Sequence, residues 1–303
     1  MFGLVKFLFR SSLPLAWSVC LLTAVPALQA EQFPNVPPNE LVRQCSQREL
    51  DAQTNAPRYM FMIRRQTVHV TETKLMVQTN EAVAGRVLAY NDHPLTGDSL
   101  MSEDARVERF VKDPDELRKK QREEHDNRER FNRILRAMPD AFLWEYDGFE
   151  SAVPGLGRSG DELVRLKFSP NPHYIPPTRV EQLLAGMAGT VLLDPKRQRM
   201  ARIDSALQKD VGFGWGILGH LDKGGRILIE QGDVGDGNWE LSHFLMRFTG
   251  KVLLFKNIDV NTQEVSWDFR RIADGLSFAQ GLDLLKKQST AIPSNHNWSR
   301  AQH

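Results

Sequence analysis

The chain has 303 residues, a formal net charge of +1, 41% hydrophobic residues and 25% charged residues. The near-neutral balance excludes a dedicated nucleic-acid binder, which needs a basic excess to neutralise phosphates, and the ordinary composition excludes wholesale disorder. Two cysteines are too few for a disulfide scaffold or a cysteine-based zinc module.

The first thirty residues have the pattern of an export signal. Lys6 and Arg10 form a short basic region, residues 11–25 are mostly apolar, and Ala30 provides a small residue for cleavage. The apolar stretch is shorter than the ~20 residues that a membrane-spanning helix needs. We therefore predict a signal peptide over 1–30 and a periplasmic mature protein without an integral membrane segment. An uncleaved anchor is the alternative.

The mature chain opens with a helix and a β meander. Two prolines precede Asn39, which predicts a helix capped by Asn39 that runs to about Ala52. Cys45, the only cysteine after the signal, shares a helical face with apolar neighbours, so we expect a small buried core residue. An intermolecular disulfide is the alternative. Aromatic and β-branched residues predict strands over 59–70, 71–79 and 83–90.

A highly charged helix interrupts the β pattern within an insertion at 101–138. Asp113 is the predicted cap and Pro114 the first helical residue. Of the 23 residues from 114 to 136, 14 are charged, and apolar residues concentrate near the end, around Leu135 and Met138. We therefore expect the helix to dock by its C-terminal turns and to project into water elsewhere. Helix 114–136 as an arm that binds another envelope protein is the alternative to a solvated insertion.

The second half predicts further strands joined by short turns. They cover 142–146, 163–168, 187–193, 198–205, 225–231, 239–248, 251–260 and 263–271, followed by a closing helix at 277–287 and a flexible tail at 289–303. Asp236 and Gly237 predict a hairpin turn. About eleven antiparallel strands with few helices indicate an α+β fold that is mainly antiparallel β. We expect a curved sheet or partly closed barrel, because closure removes exposed edges.

The catalytic motifs of the sequence are weak. Residues 214–219 contain a formal G-x-G-x-x-G, but a dinucleotide site also needs a preceding strand, a following helix and a parallel βαβ context. His220 and Asp222 could form a metal or acid–base pair, whereas a catalytic zinc site needs three protein ligands. No G-x-S-x-G hydrolase elbow occurs. We therefore expect no cofactor, no metal and no enzymatic activity, and an uncharacterised hydrolase remains an alternative.

Apolar residues occupy both faces of the strands between 226 and 258. Ile227, Leu228 and Ile229 follow one another, as do Leu253 and Leu254. A sheet with one solvated face would alternate more strictly. Either both faces are covered, or one of them lines an apolar cavity.

A family resemblance rests on residues 170–177, 186–194, 199–204 and 233–271. They include the run Gly-Met-Ala-Gly-Thr-Val-Leu-Leu-Asp at 186–194 and Gly-Asn-Trp-Glu-Leu at 237–241. The chain resembles the LolA/LolB/RseB-like lipoprotein-carrier superfamily, in particular large exported LolA-like proteins of acidobacterial type. The resemblance implies a domain over 31–288 that is a half-barrel of about eleven strands, with helices across an apolar concave face that holds acyl chains. The 101–138 insertion has no counterpart in a true carrier, and no acyl-binding or partner-contact position of the family can be matched.

These observations predict a non-enzymatic periplasmic protein that binds acyl chains or lipidated proteins, as in outer-membrane lipoprotein sorting. An envelope stress sensor or interaction module that uses helix 114–136 is the alternative from another class. Alternation along the strands suggests candidates for the lining of a ligand groove: Leu192, Ile203, Phe213, Trp215, Leu228, Leu245, Leu254 and Phe269.

Overall fold

A computed structural model describes residues 33–54, 56–213, 219–252 and 256–291. The predicted signal peptide, Trp215, Leu254 and most of the predicted tail therefore lie outside the described residues, and the proposed domain boundaries stay predictions. The strands are β1 (Tyr59–Thr67), β2 (Thr71–Gln78), β3 (Val83–Tyr90), β4 (His93–Pro94), β5 (Phe142–Ser151), β6 (Glu162–Pro170), β7 (Met187–Asp194), β8 (Arg199–Leu207), β9 (Val211–Phe213), β10 (Gly219–Leu221), β11 (Arg226–Gly235), β12 (Asn238–Val252) and β13 (Lys256–Arg271).

Five helices accompany these strands. They are α1 (Pro38–Ala52), α2 (Gly97–Lys112), α3 (Pro114–Ala141), the single turn α4 (Arg179–Gln182) and α5 (Phe278–Ser289). Within the described ranges, no helix combines the length and the apolar character needed to cross a membrane.

The thirteen described strands form one antiparallel sheet. Its order is β4-β3-β2-β1-β13-β12-β11-β8-β7-β6-β5, and β10 joins β9 to the end of β12. The sheet does not close into a barrel over the described residues. This confirms the predicted α+β fold, and the pairing of β1 with β13 brings the first and the last described strands together within the sheet.

One face of the sheet, the α1 face, is covered by α1 and by the end of α3. Leu41 and Cys45 of α1 and Leu135 of α3 pack there against strands β5–β8. Cys45 is a free, fully buried thiol, so its predicted core position is confirmed. Asn39 is not the helix cap: Pro37 holds that position without a side-chain hydrogen bond. Pro38 is the first residue of the helix, a position where the missing N–H of proline would have no helical partner.

The opposite face, the α5 face, is covered only in part. Phe278, Leu282 and Leu285 of α5 pack on Met62 and Val77 at the β1–β3 end of the sheet. No helix of the described residues packs on the adjoining part of this face, toward β12 and β11. The strands between 226 and 258 were predicted to carry apolar residues on both faces. One of these faces is covered by helices, and the other is partly open.

The charged helical segment seals the edge of the sheet. Side chains from α2 and α3 bond the outward backbone groups of β3 at three alternate residues. The backbone N–H of Val83 donates to the Glu124 carboxylate at 3.2 Å, Arg106 donates to the carbonyl of Gly85 at 2.7 Å, and the N–H of Val87 donates to Glu103 at 2.8 Å. Unpaired edge groups invite pairing with another chain, and these contacts prevent it.

The expectation that α3 projects into water over its first half is therefore wrong. Glu124 contacts β3, and Leu117 packs against the α5-face core. The first half of α3 has few apolar residues because it docks through hydrogen bonds to an exposed strand edge. The helix also continues through Pro139 to Ala141, five residues beyond the predicted end, since the buried side chains of Met138 and Ala141 hold that turn against α1.

The predicted hairpin turn between β11 and β12 is confirmed. Asp236 and Gly237 have φ angles of 53° and 74°, the left-handed pair that a two-residue hairpin requires. The predicted cap of α3 is also confirmed, because the side chain of Asp113 accepts a hydrogen bond from the N–H of Asp115.

Candidate functional site

The uncovered part of the α5 face forms a cavity of about 1080 Å³. Its floor consists of β8, β11, β12, β13 and β1, and its wall is the loop at 153–156. The lining residues are Arg64, Gln66, Val153, Pro154, Gly155, Leu156, Arg202, Glu230, Gly232, Asp233, Val234, Glu240, Ser242, His243, Gln263, Val265, Ser266, Trp267 and Phe269. The volume lies slightly above the ~300–1,000 Å³ range of small-molecule sites.

The wall loop is anchored on β11 and β12. The N–H of Gly157 donates to the carbonyl of Gln231 at 2.9 Å, and the N–H of Asp233 donates to the carbonyl of Gly157 at 3.0 Å. A Cβ on Gly232 would lie 2.8 Å from the carbonyl carbon of Gly155. Glycine at 232 is therefore what lets the loop cross the strand, and the cavity has a fixed wall.

A row of cross-strand neighbours runs over the cavity floor. Arg202 pairs with Glu230, Glu230 with His243, His243 with Val265, and Val265 with Arg64. Residues directly opposite one another on adjacent strands share a face. Five strands thus bring four charged or polar side chains and one valine into line.

The side chains of this polar row are hydrogen-bonded to one another. Arg202 Nε donates to Glu230 Oε1 at 2.6 Å, and Arg202 Nη1 donates to Glu150 at 2.8 Å. His243 Nδ1 lies 3.1 Å from Glu230 Oε2, and its Nε2 lies 3.2 Å from Gln263 Nε2. In this arrangement the side-chain amide of Gln263 donates to His243 Nε2.

Burial opposes the ionisation of Glu230, but the hydrogen bonds from His243 and Arg202 outweigh it and lower the pKa of its carboxyl. Glu230 is therefore an anion that already has its partners. Both ring nitrogens of His243 also have partners within the row. The row is therefore connected as one hydrogen-bonded network.

A second cationic side chain, Arg64, lies at the other end of the row. Its Nε and Nη2 each donate to a carboxylate oxygen of Asp92 at 2.9 Å. This bidentate bond fixes the guanidinium and raises its pKa. Gln66 and Gln263 lie beside Arg64 as a directly opposed pair on β1 and β13.

One end of the cavity is aromatic. Phe269 stacks on Phe61 with centroids 5.1 Å apart, and Tyr59 meets its edge at 6.3 Å. Trp267 and Val265 continue this apolar surface toward the polar row. The cavity therefore has an apolar half and a hydrogen-bonding half.

Glu240 is the one lining carboxyl whose pKa is raised to about 7. Burial is the main cause; the hydrogen bond from Gln78 Nε2, 3.1 Å long, and the charges of Arg199 and Arg58 oppose it. The carboxyl therefore adds less negative charge to the cavity near neutral pH than an exposed glutamate would.

The five described side chains among the eight residues suggested as a groove lining do not all lie on one surface. Phe269 lines the cavity. Leu228 and Leu245 are cross-strand neighbours, two residues along β11 and β12 from the pair Glu230 and His243. Leu192 is buried under the wall loop with Leu156, while Ile203 packs on the α1 face. Trp215 and Leu254 lie outside the described residues, as does the side chain of Phe213. A ligand-lining role for the set stays a prediction.

The His220 and Asp222 side chains do meet, with His220 Nε2 3.3 Å from Asp222 Oδ1. Thr249 donates to the other oxygen of Asp222 at 2.7 Å. Across the described ranges, no group of three His, Cys, Asp or Glu side chains is placed to hold a metal ion.

Sequence reasoning missed the polar row. Its signal is present at Arg202, Glu230 and His243, where charged or polar residues interrupt apolar strands at positions that alternate with core residues. The strand register needed to align them is set by bulges, including the one between Glu230 and Gln231, and a bulge has no reliable sequence signature.

The comparisons with known proteins are sparse. The sequence matches no family model and no curated protein. Among solved structures, a DUF1329 family protein from Desulfovibrio piger is 10% identical, with a TM-score of 0.25 over 82% of this chain and 100% of that chain.

Proposed function

We propose that the protein is an exported, non-enzymatic binding protein that holds an amphiphile with an acyl chain in the cavity of the α5 face. The ligand is either a free lipid or the lipid moiety of a lipidated protein. The observation that carries the proposal is the division of one 1080 Å³ cavity into an apolar and a hydrogen-bonding half. Export follows from the signal pattern at 1–30.

The apolar half supports the proposal through its chemistry. Val153, Val265, Trp267 and Phe269 offer apolar side chains to the same space. Each methylene withdrawn from water stabilises a complex by roughly 0.8 kcal/mol. A chain of many methylenes is therefore sufficient for binding without covalent chemistry.

The polar half supports binding over catalysis. His243 is bonded on both ring nitrogens, and Glu230 is bonded by Arg202 and His243. Pre-arranged groups of this kind orient the polar end of a ligand. A hydrolase would need His243 to face a nucleophile instead.

The test uses a matched pair of exposed valines. Val153 lies in the cavity wall and is 50% exposed, whereas Val68 in the β1–β2 turn is 48% exposed and does not line the cavity. Both tolerate a polar residue in the fold because both already contact water. Val153→Asp should weaken the binding of palmitoyl amphiphiles about 10-fold, and Val68→Asp should not.

Isothermal titration of the mature protein with a panel of palmitoyl compounds measures this effect. The proposal is supported if at least one compound binds and Val153→Asp alone weakens it. It is overturned if no compound binds, or if the two variants behave alike.

A further inference from the structure

We propose that the cavity selects amphiphiles with an uncharged head group rich in hydroxyl or amide groups, such as an acylglycerol. This inference rests on the proposed function and names its ligand class. It follows from three features of the polar half. Its arginines already have carboxylate partners, its lining already contains a carboxylate that would repel an anion, and two side-chain amides still have unbonded groups.

Both arginines of the cavity are already paired. Arg202 is shared between Glu230 and Glu150, and Arg64 is bonded on two nitrogens by Asp92. An anionic head group that bound either guanidinium would have to displace a carboxylate that stays nearby. Because each guanidinium already has a charge-assisted hydrogen bond, exchanging its carboxylate partner for an anionic head group gains little binding free energy.

The remaining charges of the lining disfavour a second anion. Asp233 faces the same space, and its nearest cation, Arg158, is 3.8 Å away and mostly exposed. A carboxylate or phosphate head would be brought close to Asp233 inside a partly desolvated space, where repulsion is stronger than in water.

Two amides offer the matching neutral chemistry. Gln66 and Gln263 are opposite each other on β1 and β13. Gln263 Nε2 is bonded to His243, and Gln66 Oε1 accepts from Arg64 at 3.4 Å. Among the described residues, no hydrogen bond is found for Gln263 Oε1 or Gln66 Nε2. One acceptor on Gln263 and one donor on Gln66 are thus left without a partner among the described residues, the two kinds of group that a hydroxyl or amide head satisfies.

The first experiment compares four ligands that share the palmitoyl chain. Monopalmitoylglycerol is uncharged, palmitate and palmitoyl-lysophosphatidylglycerol are anionic, and palmitoylcholine is cationic. Titration of the mature protein should give a Kd for monopalmitoylglycerol at least about 10-fold below those of the charged compounds. Equal affinities, or preference for a charged head, overturn this inference while the proposed function stands. Failure of all four to bind overturns both.

The second experiment changes the charge of the amide pair. Gln66→Lys places a cation without a carboxylate partner beside the free acceptor, and it should strengthen palmitate binding about 10-fold. Gln208→Lys makes the same chemical change at an exposed residue that does not line the cavity, and it should leave palmitate binding unchanged. If the two variants gain palmitate affinity equally or not at all, the charge balance of the cavity does not decide the head group and the inference fails.

A third variant tests the amide directly. Gln263→Leu keeps the size of the side chain and removes its hydrogen-bonding groups. It should raise the Kd for monopalmitoylglycerol about 10-fold while palmitate affinity changes little. A parallel loss for both ligands would indicate a packing role and would overturn the assignment of Gln263.

Discussion

Substitution of Glu240 should change how the stability of the protein depends on pH. Its carboxyl has a pKa raised to about 7 from an ordinary value of 4.5, mainly through burial. Between these values the folded state binds a proton that the unfolded state has released. The stabilising contribution is therefore complete below about pH 4.5 and is lost as the pH rises through 7. Glu240→Gln removes this titration and keeps an oxygen that can accept from Gln78.

The size of the effect follows from the shift. A rise of the carboxyl pKa from 4.5 to about 7 corresponds to roughly 3 kcal/mol of the free energy of unfolding when the carboxyl is fully ionised. Between pH 5 and pH 8, the linkage relation gives a loss of about 2.5 kcal/mol for the parent that the variant does not share. The difference in Tm between variant and parent should then widen by roughly 5–10 °C over this interval.

Thermal and urea unfolding of the parent and of Glu240→Gln at several pH values measures this difference. Glu145→Gln is the matched control, since it makes the same chemical change at a residue that is exposed on β5; the stability of this variant should change with pH as that of the parent does. If the parent and Glu240→Gln lose stability in parallel between pH 5 and pH 8, burial does not raise the pKa of Glu240 and the reasoning fails.

Three further predictions concern other parts of the fold. Gly232→Ala should destabilise the protein by about 2 kcal/mol in urea unfolding, because its new Cβ would meet the backbone of Gly155; unchanged stability would refute the crossing of the wall loop. Glu49→Ala should cost about 3–5 kcal/mol, since it leaves the buried Arg199 without its two-pronged carboxylate partner; a loss below about 1 kcal/mol would show that water reaches the site. Burial raises the pKa of the Cys45 thiol, so an aromatic disulfide reagent should label the mature protein only at the rate of unfolding; immediate labelling would contradict the packing of α1.

Local signals in the sequence predicted much of the framework. The Asp113 cap and the Asp236–Gly237 turn depend on a few adjacent residues, and the structure has both. The buried position of Cys45 followed from helical periodicity. The sheet of antiparallel strands followed from alternation and short turns. These features are predictable because their causes lie within one turn or one strand.

Features that depend on distant parts of the chain were not predictable. Helix α3 continues through Pro139 because α1, nearly a hundred residues away, packs against it. Its charged half is held by β3, whose exposed edge the sequence does not reveal. The same dependence on distant parts of the chain explains why the candidate site was not predicted. Arg202, Glu230 and His243 meet only because three strands pair in a register that bulges adjust.

The position of the candidate lining residues shows the limit most clearly. Leu192 and Ile203 alternate plausibly within their own strands, yet they point to opposite faces. The partner of Ile203 on β7 is Val191, so Leu192, one residue further along, lies on the other face. A pairing register that differs by one residue exchanges the two faces, so alternation alone cannot assign a common surface to two strands.

The central claim, that the cavity of the α5 face holds an acyl amphiphile, is tested most directly by native mass spectrometry. The mature protein would be exported in a host with an outer membrane and purified without detergent, together with Val153→Asp. The account predicts a co-purified adduct of lipid mass on the parent, released as an uncharged acyl compound, and its loss or strong reduction in the variant. A bare parent mass that also takes up no added monopalmitoylglycerol would contradict it.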